Sequence, residues 1–296
     1  MSIDHDPLLN RRSFLKMTGV LGSGLVLNPI SGRRLSESLP ALHTSEASFS
    51  PQPDWEQDFQ RMPDGKPDSR YWSVDTGNVI PSYNQQAETL TNRPENVRIE
   101  NGLLIIEARK EHLNGRDYTS AHINTQGKFS FQYGKLEVDL RAPKGIGTWP
   151  AAWLLPNAAK ATWPLDGEID FFEGIGSLPN EVYPAVHTAE SEASKVNSML
   201  HIDVPSESTQ FNTYGVELTP GKIVFTCNGK KYRTVKETSK DHRAWPFDQP
   251  YYLILNLAMG GSWGGQDRQK YPPDGIQGDG PWEMAVQAIR YYAVSS

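Results

Sequence analysis

Cysteine is nearly absent from this chain: its 296 residues include only one, Cys227, in the stretch VFTCNG. A single thiol cannot form an intramolecular disulfide, and it lacks the companions that a cysteine-rich zinc site needs. We therefore expect Cys227 to be an ordinary strand residue in a fold that has no disulfide framework.

The chain also has no excess of positive charge. Lys and Arg total 29 against 35 Asp and Glu, which gives a net charge of −6 and a pI near 5.7. No basic stripe alternates with aromatic residues, so the sequence lacks both the electrostatic field and the pattern that nucleic-acid binding requires. A neutral or weakly charged ligand fits this composition better, and heavily sulfated polymers fit it poorly.

Long apolar runs are missing as well. The apolar stretch within residues 10–27, NRRSFLKMTGVLGSGLVL, extends over about eleven residues and is too short for a stable membrane span. The paired Arg11 and Arg12 before it make the segment similar to a twin-arginine export signal. This interpretation makes residues 1–50 an export signal with a linker, and it predicts a periplasmic or extracellular protein. The alternative is an ordinary amphipathic helix.

Aromatic and turn-forming residues, by contrast, are plentiful: eight Trp, 25 Gly and 22 Pro are scattered among short apolar runs. Residues 96–110, NVRIENGLLIIEARK, predict two alternating strands about an Asn101-Gly102 hairpin turn. Residues 127–143, GKFSFQYGKLEVDLRAP, predict two more strands with Gly134 between them. The same pattern continues toward the C-terminus.

Turn dipeptides divide the C-terminal half into further strands. Pro220-Gly221 and Asn228-Gly229 separate three short runs. Residues 251–261, YYLILNLAMGG, are apolar on both faces, as a central strand would be, and residues 284–294, MAVQAIRYYAV, predict a closing strand. Short strands at this spacing, without a sustained helical period, predict an all-β antiparallel sandwich.

Three carboxylates interrupt one apolar run, residues 167–174, GEIDFFEG. In a regular strand Glu168 and Asp170 share a face, whereas Glu173 falls on the other. A β-bulge at Phe171-Phe172 would return Glu173 to the first face, and bulges are frequent beside active sites because they re-aim side chains. The two Phe side chains would then anchor the bulge in the core.

This spacing suits the cleavage of a glycosidic bond with retention. That reaction needs a nucleophilic carboxylate and a proton-donating carboxylic acid about 5 to 5.5 Å apart, a gap that two long Glu side chains can close along a strand. Packed like charges also raise at least one pKa, which keeps a general acid protonated. The alternative is a solvated strand face whose acids are merely exposed.

Aromatic residues flank the acidic run. Trp149, Trp153 and Trp163 precede it, and His187 and Trp263 follow it. Aromatic rings stack on the apolar faces of pyranose sugars, so this neighbourhood indicates a saccharide cleft. Each Trp could equally well fill the core.

With GTWPAAWLLP before WPLDGEIDFFE, and with VHT and WPFDQPYYLILNLAMGGSWGG after them, the sequence resembles glycoside hydrolase family 16, in particular its laminarinase-like endo-β-1,3-glucanases. The resemblance extends over residues 72–292. It implies that residues 51–296 form a catalytic domain with a β-jelly-roll, concanavalin A-like sandwich of two curved antiparallel sheets. The substrate cleft would cross the concave face.

The resemblance also implies residue roles. In the family motif E-x-D-x-x-E, Glu168 would be the nucleophile, Glu173 the acid/base, and Asp170 the residue that hydrogen-bonds and tunes the nucleophile. Substrate-binding roles would fall to Trp149, Trp153 and Trp163, which match cleft tryptophans, and to Asn256 and Trp263, which lie in the segment bordering the cleft. His187 matches a family histidine near the catalytic strand and is assigned to the same group, with a structural imidazole as the alternative.

Two segments depart from the family pattern. Residues 84–91, NQQAETLT, replace a stretch that lines or supports donor-side sugar sites, which leaves the fine substrate preference open. In residues 286–292, VQAIRYY, Gln287 occupies the place of an Asp associated with a structural calcium ion. An amide is a weaker calcium ligand than a carboxylate, so no metal is assigned at the active site and no cofactor is required; a structural calcium ion stays open as the alternative.

The expected activity is endo-hydrolysis of β-1,3 linkages in a β-glucan such as laminarin, by a monomer whose partner is the polysaccharide. Mixed-linkage β-1,3-1,4-glucan and agar-type galactan are alternative polymers, and transglycosylation is an alternative outcome of the same chemistry. A non-catalytic glycan-binding module and a structural sandwich of the cell envelope are the competing classes, since a jelly roll does not fix function.

Overall fold

Strands dominate the structure, a computed structural model that describes residues 47–78, 84, 86–194, 200–264 and 275–295. The predicted export segment lies outside the described residues, apart from residues 47–50. Phe49 pairs with Val294 in an isolated bridge, and Ser48–Ser296 group as one unit. No helix in these described ranges is long and apolar enough to cross a membrane.

The strands are numbered in chain order: β1 Trp55–Asp58, β2 Ser73–Val74, β3 Gly77–Asn78, β4 Glu88–Leu90, β5 Val97–Glu100, β6 Leu103–Leu113, β7 Arg116–Ser120, β8 His122–Asn124, β9 Gly134–Arg141, β10 Thr148–Pro156, β11 Glu168–Glu173, β12 Glu181–Val182, β13 Ala185–His187, β14 Ile202–Asp203, β15 Asn212–Thr219, β16 Lys222–Cys227, β17 Lys230–Lys236, β18 Tyr251–Met259 and β19 Trp282–Tyr292. Helical structure in the described ranges is limited to short pieces: a 3₁₀ turn at Phe59–Arg61, α1 at Ala189–Ser194 and α2 at Gly261–Gly264.

Two large sheets form the jelly-roll sandwich that the sequence predicts. The larger has the order β17-β16-β15-β9-β19-β6-β7-β4-β3, with β1 on β19 and β5 on β6. The smaller has the order β13-β11-β10-β18-β8-β2, and all its pairs are antiparallel. In the larger sheet β4 runs parallel to β7, a pairing that local alternation does not reveal.

The core lies between the two sheets. Phe172 of the smaller sheet packs against Tyr214 of the larger one, with ring centroids 4.6 Å apart. Along β9 buried and half-buried residues alternate, which is the period-two pattern of a strand with one face in a core. Strand β18, between β10 and β8, is buried at every position, and this confirms its prediction as a central strand.

The predicted hairpins are also confirmed. Asn101 and Gly102 join β5 to β6 with φ angles of 52° and 76°, and Asn228 and Gly229 join β16 to β17 with 50° and 74°. Positive φ at both central residues is the requirement of the tight turn that matches strand twist. Asn and Gly are the residues that adopt it at least cost.

One predicted strand is wrong: the run before Gly134 makes a single bridge, Phe131 with Tyr251, and forms no ladder. The chain turns after Thr125, whose carbonyl accepts hydrogen bonds from the amides of Lys128 and Phe129. Phe129 then stacks on Trp55 with ring centroids 3.9 Å apart. The aromatic alternation in this run therefore reflects packing against rings of other segments.

Candidate active site

The acidic strand β11 contains the predicted bulge. Glu173 pairs with Ala151 of β10, Phe172 with Ala152, and then Asp170 with Trp153, so Phe171 has no partner of its own. Both Phe171 and Phe172 are fully buried in the core. The bulge thus puts the Glu173 side chain on the same face of β11 as the Asp170 side chain.

The pairing register places the acids on one face of the smaller sheet, because directly opposed residues of an antiparallel pair share a face. Glu173 opposes Ala151, which opposes Asn256 of β18. Glu168 opposes His187 of β13. The face directed away from the core therefore carries most of the predicted site residues: Trp149, Trp153, Glu168, Asp170, Glu173, His187 and Asn256.

Glu173 is nearly buried and has a defined partner. The indole Nε1 of Trp149 donates a hydrogen bond to Glu173 Oε1 at 2.8 Å. Trp149 is itself buried, with 5% of its surface exposed. This ring therefore holds the carboxyl group in place from the neighbouring strand.

His187 lies at the centre of a group of carboxylates. Its Nε2 is 3.2 Å from Asp170 Oδ2 and 3.7 Å from Glu168 Oε1, and its Nδ1 is 2.7 Å from Glu192 Oε1. Burial opposes a charged imidazole, but the contact with Asp170, the charge of Glu168 and the hydrogen bond with Glu192 outweigh it. The pKa of His187 is consequently raised well above its ordinary value of 6.5.

The same grouping bears on metal binding. One ligand atom each from Glu168, Asp170 and His187 lies within 4.8 Å of the others, close enough to surround an ion. A protonated imidazole, however, has no lone pair for a metal. The carboxylates that surround His187 favour that protonated form, in which the cluster is an ion pair.

The position matched to the family calcium site does not fit the ion. Gln287 is the extra residue at a bulge of β19, since Val286 pairs with Leu140 and Ala288 with Asp139. The two acids that pair with the next residue, Ala288, have cationic partners: Asp139 lies 2.8 Å from Arg290, and Asp58 lies 2.9 Å from Arg61. A neutral amide, with the nearest carboxylates held in ion pairs, is a poor donor set for calcium.

Trp153 of β10 and Asn256 of β18 are joined by a hydrogen bond between their side chains. The indole Nε1 of Trp153 donates to Asn256 Oδ1 at 2.8 Å. Asn256 opposes His122 of β8, and His122 Nδ1 lies 2.7 Å from Asp75 Oδ2. Sequence reasoning missed His122 and Asp75, although the period of β8 could have indicated that His122 and Asn124 share a face.

The remaining predicted tryptophans lie outside the strands. Trp163 precedes β11, is 43% exposed, and its ring centroid is 6.2 Å from that of His187. Trp263 lies on α2 and packs edge-on against Trp149 at 5.8 Å and Tyr183 at 5.2 Å. Trp163 is therefore the most accessible ring beside the acids, whereas Trp263 belongs to a packed aromatic cluster.

The segment that departs from the family pattern contacts the end of β18. Glu88 is buried, and its Oε2 accepts a hydrogen bond from the amide of Met259 at 2.9 Å. Burial raises the pKa of Glu88 to about 7. Gln86 forms a bridge with Gly260, so this segment supports the stretch that leads into Trp263.

The arrangement has the components of carboxylate-based bond cleavage. Two glutamates lie on one face of β11, with Asp170 between them in the chain. His187 supplies positive charge beside Glu168, and Trp149 fixes Glu173. Indole and amide groups extend across β10 and β18, where a polymer chain could bind by stacking and hydrogen bonding.

Comparisons with known proteins identify related sequences. The family model described as "Glycosyl hydrolases family 16" matches residues 84–272. The beta-glucanase of Rhodothermus marinus is 36% identical over 296 residues, which cover 97% of each chain.

Solved structures of similar proteins share the fold. The laminarinase from Rhodothermus marinus superposes with a TM-score of 0.75 at 36% identity, over 84% of this chain and 99% of that one. SCLam, a non-specific endo-beta-1,3(4)-glucanase from family GH16, gives a TM-score of 0.73 at 32% identity, over 84% and 95%.

Proposed function

Because the chain belongs to glycosyl hydrolase family 16, we propose that it is an endo-acting glycoside hydrolase that cleaves β-1,3 linkages of a β-glucan such as laminarin with retention. The observation that carries this proposal is the bulge at Phe171, which places Glu168 and Glu173 on one face of β11. Without it, alternation would separate the two carboxyl groups.

The residues suggest a double displacement. In the first step the carboxylate of Glu168 attacks the anomeric carbon while the carboxylic acid of Glu173 protonates the departing glycosidic oxygen. In the second step Glu173 removes a proton from water, which attacks the glycosyl-enzyme and releases Glu168. Neither step uses a cofactor.

The surrounding side chains have supporting roles in this mechanism. His187, as a cation 3.7 Å from Glu168 Oε1, favours the ionised nucleophile. Asp170 Oδ2 lies 3.2 Å from Nε2 of the same imidazole, so it connects His187 to β11, the strand that carries both glutamates. Trp149 keeps Glu173 oriented toward the scissile oxygen. Trp153, Trp163, Asn256 and Trp263 would contact or support the sugars.

The substrate assignment is supported by the relatives. The similar protein with near-complete overlap is named a beta-glucanase, and the similar structure from the same organism is a laminarinase. The other similar structure is described as a non-specific endo-beta-1,3(4)-glucanase. Mixed-linkage β-glucan is therefore the second candidate substrate.

The test is hydrolysis of a polysaccharide panel by the full chain. We expect reducing-sugar release from laminarin, slower release from lichenan, and none from agarose, with Glu168→Gln as the inactive control. Proton NMR of the first product should show the β anomer. Release of no reducing ends from either β-glucan would reject the proposal, and an α anomer would reject retention.

We also propose that residues 1–50 export the enzyme by the twin-arginine route to the periplasm or the exterior, where polysaccharide is found. Fractionation of cells that express the full chain is expected to place the activity outside the cytoplasm. Replacement of both Arg11 and Arg12 by Lys should keep the activity in the cytoplasm. Unchanged export of that variant would contradict the route while leaving the enzymatic proposal intact.

A further inference from the structure

Glu192 contacts the active site from outside the catalytic strand. It lies on α1, which begins two residues after His187. A reciprocal pair of hydrogen bonds fixes the first turn: the amide of Ser191 donates to Thr188 Oγ1 at 3.1 Å, and the amide of Thr188 donates to Ser191 Oγ at 2.9 Å. The amide of Glu192 donates to the carbonyl of Thr188 at 3.0 Å. This turn brings the Glu192 side chain back over His187.

The imidazole of His187 therefore bridges two sets of acids. Its Nδ1 is 2.7 Å from Glu192 Oε1, while its Nε2 faces Asp170 at 3.2 Å and Glu168 at 3.7 Å. The His187 side chain is 7% exposed, so solvent contributes little to its proton balance. In such a setting the partner of one ring nitrogen decides what the other nitrogen presents.

The charged groups around this imidazole come from three elements. Glu168 and Asp170 belong to β11, and Glu192 belongs to α1. Arg233 of β17 adds positive charge on the Asp170 side, where it interacts with that carboxylate. The ring of Trp163 covers another side at 6.2 Å. Of the three acids, Glu192 alone has no role in the mechanism proposed above.

We propose that Glu192 is a positioning residue that acts through His187: its carboxylate accepts a hydrogen bond from Nδ1–H, so that Nε2–H points at Asp170 and Glu168 and the nucleophile stays ionised. This inference rests on the proposed function for its catalytic consequence. Its structural part, the protonation and orientation of His187, stands independently of any substrate.

The helix offers a matched control. Glu190 lies two residues earlier on α1, is exposed, and can receive the same Glu→Gln change. Glu192→Gln removes the negative charge beside Nδ1 but keeps the size and polarity of the side chain. A general disturbance of α1 should affect both variants, whereas loss of the His187 partner should affect Glu192→Gln alone.

Two measurements on the full chain test the proposal. In ¹⁵N-resolved NMR spectra, with the signal assigned by a His187→Gln variant, Glu192→Gln should lower the titration midpoint of His187 by about one pH unit or more. On laminarin, kcat should fall about 10- to 100-fold with little change in KM, by analogy with the loss when the hydrogen-bond partner of a metal-bound histidine is removed. Glu190→Gln should match the wild type in both.

The outcomes separate the two proposals. An unshifted His187 titration in Glu192→Gln, or equal losses in both variants, would overturn the positioning role. A wild-type protein that cleaves no β-glucan, but whose His187 titration still depends on Glu192, would overturn the proposed function and support the structural part. Glu192→Asp should recover part of the kcat, because it restores the charge with a shorter reach.

Discussion

Trp149 and Glu173 are joined across neighbouring strands by a hydrogen bond of 2.8 Å from the indole Nε1 to a carboxylate oxygen. The bond aims the proposed proton donor from a ring that is itself buried. Trp149 therefore has a role in orientation, in addition to the sugar contact that sequence reasoning assigned to it.

Removal of that donor should slow the chemistry more than it weakens binding. A hydrogen bond to a charged group contributes about 1.5–3 kcal/mol, so Trp149→Phe is expected to lower kcat on laminarin about 10- to 100-fold. An aryl glucoside with an acidic leaving group, which needs little protonation, should be far less affected. Trp153→Phe, which breaks the bond to Asn256, is the control and should mainly raise KM. Equal losses on both substrates would contradict the role of Trp149.

Azide can distinguish the two glutamates. Substitution of either Glu168 or Glu173 by Ala should reduce the rate on laminarin by about 10³-fold or more. With an activated aryl substrate, azide should rescue Glu173→Ala and give the β-glycosyl azide, since the glycosyl-enzyme still forms. It should rescue Glu168→Ala as the α-glycosyl azide, because azide then replaces the nucleophile. The reverse stereochemistry would exchange the two roles.

Glu207 should make the fold less stable as pH rises. It is buried, and burial together with the charge of Glu181 raises its pKa to about 8. The pKa of Glu207 is higher in the folded than in the unfolded chain, so its protonated form stabilises the fold. That stabilisation is complete below the unfolded pKa and is lost as pH rises through about 8. The loss is on the order of 5 kcal/mol.

Glu207→Gln should flatten that dependence. Free energies of unfolding from denaturant titrations at several pH values would measure it, with exposed Glu95→Gln as the control. Glu88, whose pKa is raised to about 7, also destabilises the fold as pH rises. The free energy of unfolding of Glu207→Gln should therefore still fall with pH, but less steeply than that of the wild type. A slope identical to that of the wild type would show that Glu207 ionises without cost.

Chelation should not affect stability. The residues around Gln287 do not suit calcium, so the melting temperature is expected to be the same in EDTA and in millimolar CaCl₂. Gln287→Asp is the informative variant, because it restores a carboxylate at the bulge of β19. A wild-type melting temperature that falls in EDTA and recovers with calcium would contradict this expectation.

The sequence predicted the features that depend on local alternation and turn chemistry. The bulge of β11 followed from the parity of Glu168, Asp170 and Glu173, and the hairpins followed from the Asn-Gly dipeptides. The central position of β18 followed from its apolar residues on both faces. Each of these signals lies within about ten residues of the feature that it specifies.

What the sequence did not predict depends on contacts between distant segments. The pairing of His122 with Asp75 and the parallel pairing of β4 with β7 join segments whose patterns carry no information about their partners. The contact of Glu192 with His187 is close in sequence, but a turn at Thr188 creates it. The run before Gly134 alternates like a strand because its rings pack on Trp55 and Tyr291.

Because Phe171 has no pairing partner, the acidic motif of β11 could be one residue shorter and still present its acids on one face. If this residue were absent, the motif would read Glu-Ile-Asp-Phe-Glu, and strict alternation would carry all three acids to the same side. Two backbone paths, one regular and one with an inserted aromatic residue, can thus present the same set of carboxyl groups. The enzyme's chemistry is compatible with either path, provided that the inserted side chain finds room among the packed interior residues.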